Sequence, residues 1–248
     1  PPVAVADELE CLVVQGIDHV HTCDSEFNLP GQHVLEVCAE IARRGLGEKL
    51  RWYAYCAPVP FTREMARAMR AAGCVGINFG ADHGDAGMLR RLGRAYAPQD
   101  VVRATRLCHE AGMVVMLDML LGSPGETRQS LLAAIACMER AAPERVGISM
   151  GLRVYPGTPL EGQIAAAQDA PGLSGGAEPA VPRFYLEPAV AEFCFSLVDQ
   201  LVGDDPRFLF FDPNKPRQNY NYNANQRLTD AIAEGCRGAY WDILRQLA

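Results

Sequence analysis

The sequence holds nine cysteines in 248 residues, yet no CxxC, CxxxC or CxxH occurs in it. Zinc and iron–sulfur sites built from locally clustered thiolates need such spacings, so no metal ligand is expected among these residues. No apolar run is long enough to span a membrane as a helix. The start, PPVAVADELE, lacks the basic-then-apolar order of a secretion signal. No basic block stands out, and 30 acids against 23 bases leave a net charge of −7. That balance argues against a nucleic-acid partner held by its phosphates. The odd number of thiols and their mostly apolar neighbours suit a reducing, cytoplasmic setting.

What is present is a regular alternation, and the 49% apolar content is enough for a core. Residues 5–16, 33–45, 62–73, 85–94, 98–112 and 126–141 read as helices, with Thr62 an N-cap and Gly45 a C-terminal stop. Between them, residues 18–24, 50–58, 74–82, 113–122 and 145–154 read as strands. Five strands separated by helices predict an α/β fold with a parallel sheet and right-handed crossovers. After about residue 156 the pattern breaks. Residues 157–184, rich in Gly, Ala and Pro, read as a loop. Residues 187–203 read as a helix, 212–226 as a polar aromatic loop, and 228–247 as a last helix. The expected division is 1–160 and a C-terminal helical extension, 161–248.

In parallel α/β folds, chemistry collects at the C-terminal tips of the strands. The first tip carries Asp24, Ser25 and Glu26, the second Tyr53, Tyr55 and Cys56, and the third Asn78, Gly80, Asp82 and His83. The fourth carries Asp118 and then Gly122 to Thr127, and the fifth Ser149, Arg153 and Tyr155. Each has a plain structural explanation. Asp, Ser and Glu suit a helix start, Asp82 an Asx turn, and Ser-Pro-Gly a turn before a capped helix. Trp52, Tyr53, Tyr55 and the methionines of 113–119 suit packing, and His19 with His21 a core or rim pair lacking a nearby third ligand. Polar groups or glycine turns at five tips of five nevertheless point to one polar ligand held from several sides. No lysine sits at a tip, which weakens Schiff-base chemistry of the aldolase kind.

CDSEFN, FGADHGD with MLRRLGRAY, LLGSPGET and RVYPGTPL, in that order, resemble the radical S-adenosylmethionine (SAM) enzymes, and most of all the branch with an upstream cobalamin-binding domain. The resemblance covers residues 1–160, and the order of four motifs is more specific than any one. It implies a partial (βα)6 TIM-like barrel of which strands two to six are present. It places Glu26, with Asp24 and Ser25 beside it, at the SAM amino group, and Asp82, beside Asn78, at the ribose or carboxylate. Gly122 and Gly125, within Leu121–Glu126, and Tyr155, within Val154–Pro159, would border the adenine, with Arg153 just before that motif and Asp118 also on the cofactor side. Tyr53 and Tyr55 would face the substrate as catalytic or contact residues.

The family's CxxxCxxC loop is absent from this sequence. The resemblance therefore implies a [4Fe–4S] cluster whose protein ligands lie outside the chain, together with SAM and cobalamin as cofactors. The tail around NYNYNANQRL resembles methylases of natural-product pathways. The implied reaction is methyl transfer from SAM via methylcobalamin to a small-molecule carbon, with the tryptophan indole a candidate acceptor. The implied partner is an upstream cobalamin-binding domain of the same polypeptide. Another radical SAM reaction, such as methylthio transfer or ring cyclisation, and a SAM-binding module without catalysis are the alternatives.

Overall fold

The computed structural model describes residues 1–165, 171–175, 182–210 and 225–248. Most of the polar aromatic stretch 212–226 lies outside the described residues, as do parts of 157–184. Helices α1 (Pro2–Val14), α2 (Gly31–Arg43), α3 (Arg63–Ala71), α4 (Ala86–Arg91), α5 (Pro98–Glu110) and α6 (Arg128–Ala141) alternate with strands β1 (His19–His21), β2 (Arg51–Cys56), β3 (Cys74–Asp82), β4 (Val114–Leu121) and β5 (Arg145–Met150). Thr62 caps α3 by accepting from the Met65 N–H at 3.1 Å, as the sequence indicates.

The alternation builds an open parallel sheet whose sixth strand comes from far downstream. Its order is β1-β2-β3-β4-β5-β9, where β9 is Phe208–Phe210 and pairs parallel to β5. A three-residue strand carries too little pattern to be read from sequence. The expected fifth strand, 145–154, is corrected: Gly151, at φ +81°, breaks it. Its second part, β6 (Leu152–Val154), joins β7 (Leu173–Gly175) and β8 (Arg183–Tyr185) in a small antiparallel sheet. The helix expected at 187–203 is two, α8 (Pro188–Ala191) and α9 (Cys194–Val202). The last helix is also two, α10 (Gln226–Ala233) and α11 (Tyr240–Gln246), parted by Gly235 and Gly238 at φ +96° and +139°.

Side chains alternate across a strand, so the main sheet has two unlike faces. Trp52, Ala54, Cys56, Ile77, Phe79, Ala81, Val115, Leu117, Val146 and Ile148 lie in the large core shared with α2, α3, α5, α6 and α9. The opposite face carries Tyr53, Tyr55, Gly76, Asn78, Gly80, Met116 and Asp118. Helix α11 covers its lower part, where Trp241 and Ala239 pack with Tyr53 and Met116. A Cβ on Gly76 would stand 2.8 Å from the Trp241 ring, so a glycine is needed for that ring to lie down. The Tyr53 hydroxyl donates to Asp242 at 2.7 Å, and Asp242 also accepts from Arg245 at 2.6 Å.

Candidate active site

Above this plug the strand tips form a rim. The turn after β1 is held by Asn28, which is fully buried. Its amide donates to the carbonyls of Ala57 (2.9 Å) and Pro60 (2.6 Å), and its oxygen accepts from the Ala57 N–H (2.8 Å). Phe27 N–H donates to the Tyr55 carbonyl at 2.8 Å. The backbone around Glu26 is therefore fixed, while Asp24 and Ser25 are exposed and Glu26 is half-buried. The Glu26 side chain has no partner among the described residues. Tyr55 stands at the rim, 37% exposed, with its ring 4.6 Å from His21. Tyr53 points instead into the plug, and burial first, then Asp242, push its phenol far above the ordinary tyrosine value.

At the end of β3 the pairing with β4 slips between Gly80 and Asp82, and Asp82 adopts φ +54°. A bulge of this kind re-aims a side chain, and a left-handed non-glycine residue stores strain. The Tyr96 hydroxyl lies 2.8 Å from the Gly80 carbonyl and 3.1 Å from Asp82 Oδ2, its one proton shared between these two acceptors, and Arg94 forms an ion pair with the same Oδ2. Behind Asp82, the side chains of His83 and Glu126 are wholly buried and lie 3.2 Å apart. His83 Nδ1 accepts from the Asp85 N–H at 2.9 Å, so Nε2 carries the proton donated to Glu126. Glu126 also accepts from the Gly122 N–H (2.9 Å) and from the Ser130 hydroxyl. Burial pushes the Glu126 carboxyl up, but His83, Ser130 and Gly122 outweigh it and hold it below the ordinary glutamate value. This pair ties the third tip to the fourth.

Gly122 and Gly125 have φ of +86° and +83°. Their N–H groups are engaged by Glu126 and by Glu187, the latter at 2.6 Å. The loop thus offers a ligand its shape rather than these donors. Beside it opens a cavity of about 390 Å³ lined by Arg91, Leu92, Ser123, Leu152, Thr158 and Gln163, among others. Residues of both expected adenine-side motifs meet there, and the buried Ser123 hydroxyl has no partner among the described residues. Arg153 and Tyr155 do not belong to the tip of β5. They lie on and just past β6, exposed, with the guanidinium 4.9 Å from the Tyr155 ring centre.

Asn78 sits in register between Tyr55 and Met116 on the partly plugged face. It is 1% exposed, and neither its Oδ1 nor its Nδ2 has a partner among the described residues. In the next layer Gly80 pairs in register with Asp118, which is half-buried, and a Cβ on Gly80 would meet nothing within 4 Å. The face therefore holds open space beside an unsatisfied amide. Glu26 makes a small contribution to raising the Tyr96 phenol, after burial and Asp82. Sequence reasoning missed Tyr96, Arg94 and Asn28 as organisers of the rim. All three stand in the quoted motifs, but their partners lie 12 to 32 residues away, so the motifs gave them no role.

Among the described residues, no group of three or more His, Cys, Asp or Glu could hold a metal ion. All nine cysteines are free, and burial pushes the Cys38 thiol up to about 12. No described helix is long and apolar enough to cross a membrane.

Residues 1–138 match the model of the radical SAM superfamily. The chain belongs to that superfamily. It is 39% identical over 178 residues to a tryptophan 2-C-methyltransferase of Streptomyces laurentii, covering 67% of this chain and 30% of that protein. It is also similar to the radical SAM methyltransferase TsrM of Kitasatospora setae, at 28% identity, over 99% of this chain and 54% of that one. The TM-score is 0.88 to TsrM with tryptophan and the SAM analogue aza-SAM, and 0.86 to TsrM with cobalamin and a [4Fe–4S] cluster. This radical SAM chain thus spans about half the TsrM chain and less of the curated relative.

Proposed function

We propose that the protein carrying this chain transfers a methyl group from SAM to a carbon of a small molecule, with the indole of tryptophan as the acceptor. The agreement with substrate-bound TsrM over 99% of the chain carries this reading. SAM bears a sulfonium and an ammonium group, and a rim with Asp24, Glu26 and Asp82 suits that charge. The orphaned Asn78 amide and the open space at Gly80 suit a polar ligand on the uncovered part of the face. Glu26 would accept from the ammonium, and Asp82 would accept from the ribose through Oδ1, since Tyr96 and Arg94 engage Oδ2. The loop Gly122–Gly125 and the cavity at Ser123 would border the adenine. Tyr55, rather than the buried Tyr53, would face the substrate. Asp118 lines the same face, and Arg153 with Tyr155 forms an outer edge.

The described residues do not fit the ligand set of an iron–sulfur cluster. The cluster's ligands and the cobalamin-binding domain would belong to the rest of the polypeptide, in a reducing, cytoplasmic setting that suits nine free thiols. When bound, cobalamin would supply the methyl carrier; this chain's own residues position SAM and substrate and exclude water. The test is anaerobic incubation of the whole reconstituted protein with methyl-deuterated SAM and tryptophan. Mass spectrometry should find a labelled methyl group on the indole. SAM consumption with an unmodified indole, or a sulfur-bearing product, would reject this acceptor and this reaction.

A further inference from the structure

Tyr96 is on no helix or strand; it lies in the connection between α4 and α5, outside the sheet. Yet its hydroxyl reaches back to both residues flanking the bulge, Gly80 and Asp82. Asp82 holds a left-handed backbone, which aspartate tolerates better than most non-glycine residues but which remains uncommon within a sheet pairing. We propose that Tyr96 is a positioning residue of the SAM site. It fixes the bulge and rotates the Asp82 carboxylate so that Oδ2 is occupied from within and Oδ1 is presented to the ligand.

A phenol suits this task better than a second cation. Burial, and then the charge of Asp82, raise the Tyr96 phenol far above the ordinary tyrosine value, so it stays a neutral donor. Glu26 also acts on it electrostatically. A neutral donor beside the Asp82 carboxylate orients it without competing for the cationic ligand. Arg94 is 41% exposed and can move with solvent, whereas Tyr96 has a rigid ring and two acceptors.

This inference rests on the reading of Asp82 as a SAM ligand, and the experiment separates the two. Tyr96→Phe, Asp82→Asn and the double variant are made in the whole protein. SAM affinity is measured by equilibrium dialysis, and thermal stability without SAM by calorimetry. Asp82→Asn should weaken SAM binding, and Tyr96→Phe should weaken it about fivefold to tenfold, the loss of one oriented hydrogen bond. The double variant should bind no worse than Asp82→Asn alone, because both act through one carboxylate. Unchanged affinity in Asp82→Asn overturns the ligand reading and this inference with it. Weakened binding in Asp82→Asn with unchanged affinity in Tyr96→Phe, or with additive losses in the double variant, overturns the inference alone.

Discussion

The lower and upper halves of the plugged face are built from the same strands and differ in how their polar groups end. Below, Tyr53, Asp242 and Arg245 satisfy one another, and Trp241 fills the space over Gly76, although its buried ring N–H has no partner among the described residues. Two residues further up β3, Asn78 has no partner for either amide atom among the described residues, and Gly80 faces open space. The Glu26 carboxylate, on a backbone clamped by Asn28, likewise has no described partner. The lower half is arranged for stability. The upper half tolerates unsatisfied groups, which protein interiors otherwise avoid, and that is the cost expected where a ligand completes the structure. The walls around the upper half are themselves well satisfied, chiefly by His83 and Glu126.

The largest effect should come from that wall. Glu126→Ala leaves the buried donors of His83, Gly122 and Ser130 without their acceptor, and each such orphaned group costs about 1–3 kcal/mol. At this chain length the melting temperature should fall by roughly 10 °C. The carboxyl is held below its ordinary value, so its stabilisation is present above the unfolded pKa, about 4.3, and is lost as pH falls through the lower native value. Glu126→Gln should flatten that part of the acid stability profile; an unchanged profile would contradict the assignment.

Next, Tyr53→Phe tests the lower half. Asp242 keeps Arg245 but loses a buried donor, and stability should fall by about 1.5–3 kcal/mol in urea unfolding. SAM affinity should not change. A loss of SAM binding with intact stability would return Tyr53 to the site and erase the division between the halves.

The same division marks what could be read from the sequence. The strand at 74–82 was legible to its ends because apolar outer residues alternate with Gly and Asn before an Asp-His-Gly turn. The first tip was legible as a polar turn, although Asn28, which sets its geometry, was not. Its partners Ala57 and Pro60 lie 29 and 32 residues on. Nothing local announces that Tyr53 meets Asp242, 189 residues away, so two neighbouring tyrosines looked alike. The break at Gly151 was hidden because a glycine inside an apolar run fits a strand as well as a corner.

Glu26→Gln sharpens the upper half from the charged side. The half-buried carboxylate keeps part of its hydration, so the loss should be about tenfold in SAM affinity, the lower end for a charge-assisted hydrogen bond. Melting without SAM should stay level, since the side chain has no described partner. A stability loss without an affinity loss would make Glu26 a turn residue.

The smallest expected effect has the most informative sign. Asn78 is buried with two unsatisfied atoms, and an unpaired buried polar group costs about 1–3 kcal/mol. Leucine has nearly the same shape and no polar atoms. Asn78→Leu should therefore stabilise the SAM-free protein, by about 1 kcal/mol once imperfect packing against Met116 and Tyr55 is allowed for. The same change should weaken SAM or substrate binding, because the ligand loses the amide that waits for it. Gains in stability and losses in affinity are rarely found together at a residue that only fills space. If Asn78→Leu lowers the melting temperature and leaves both affinities unchanged, the amide is satisfied inside the protein by bound water. The upper half of the face would then be as complete as the lower.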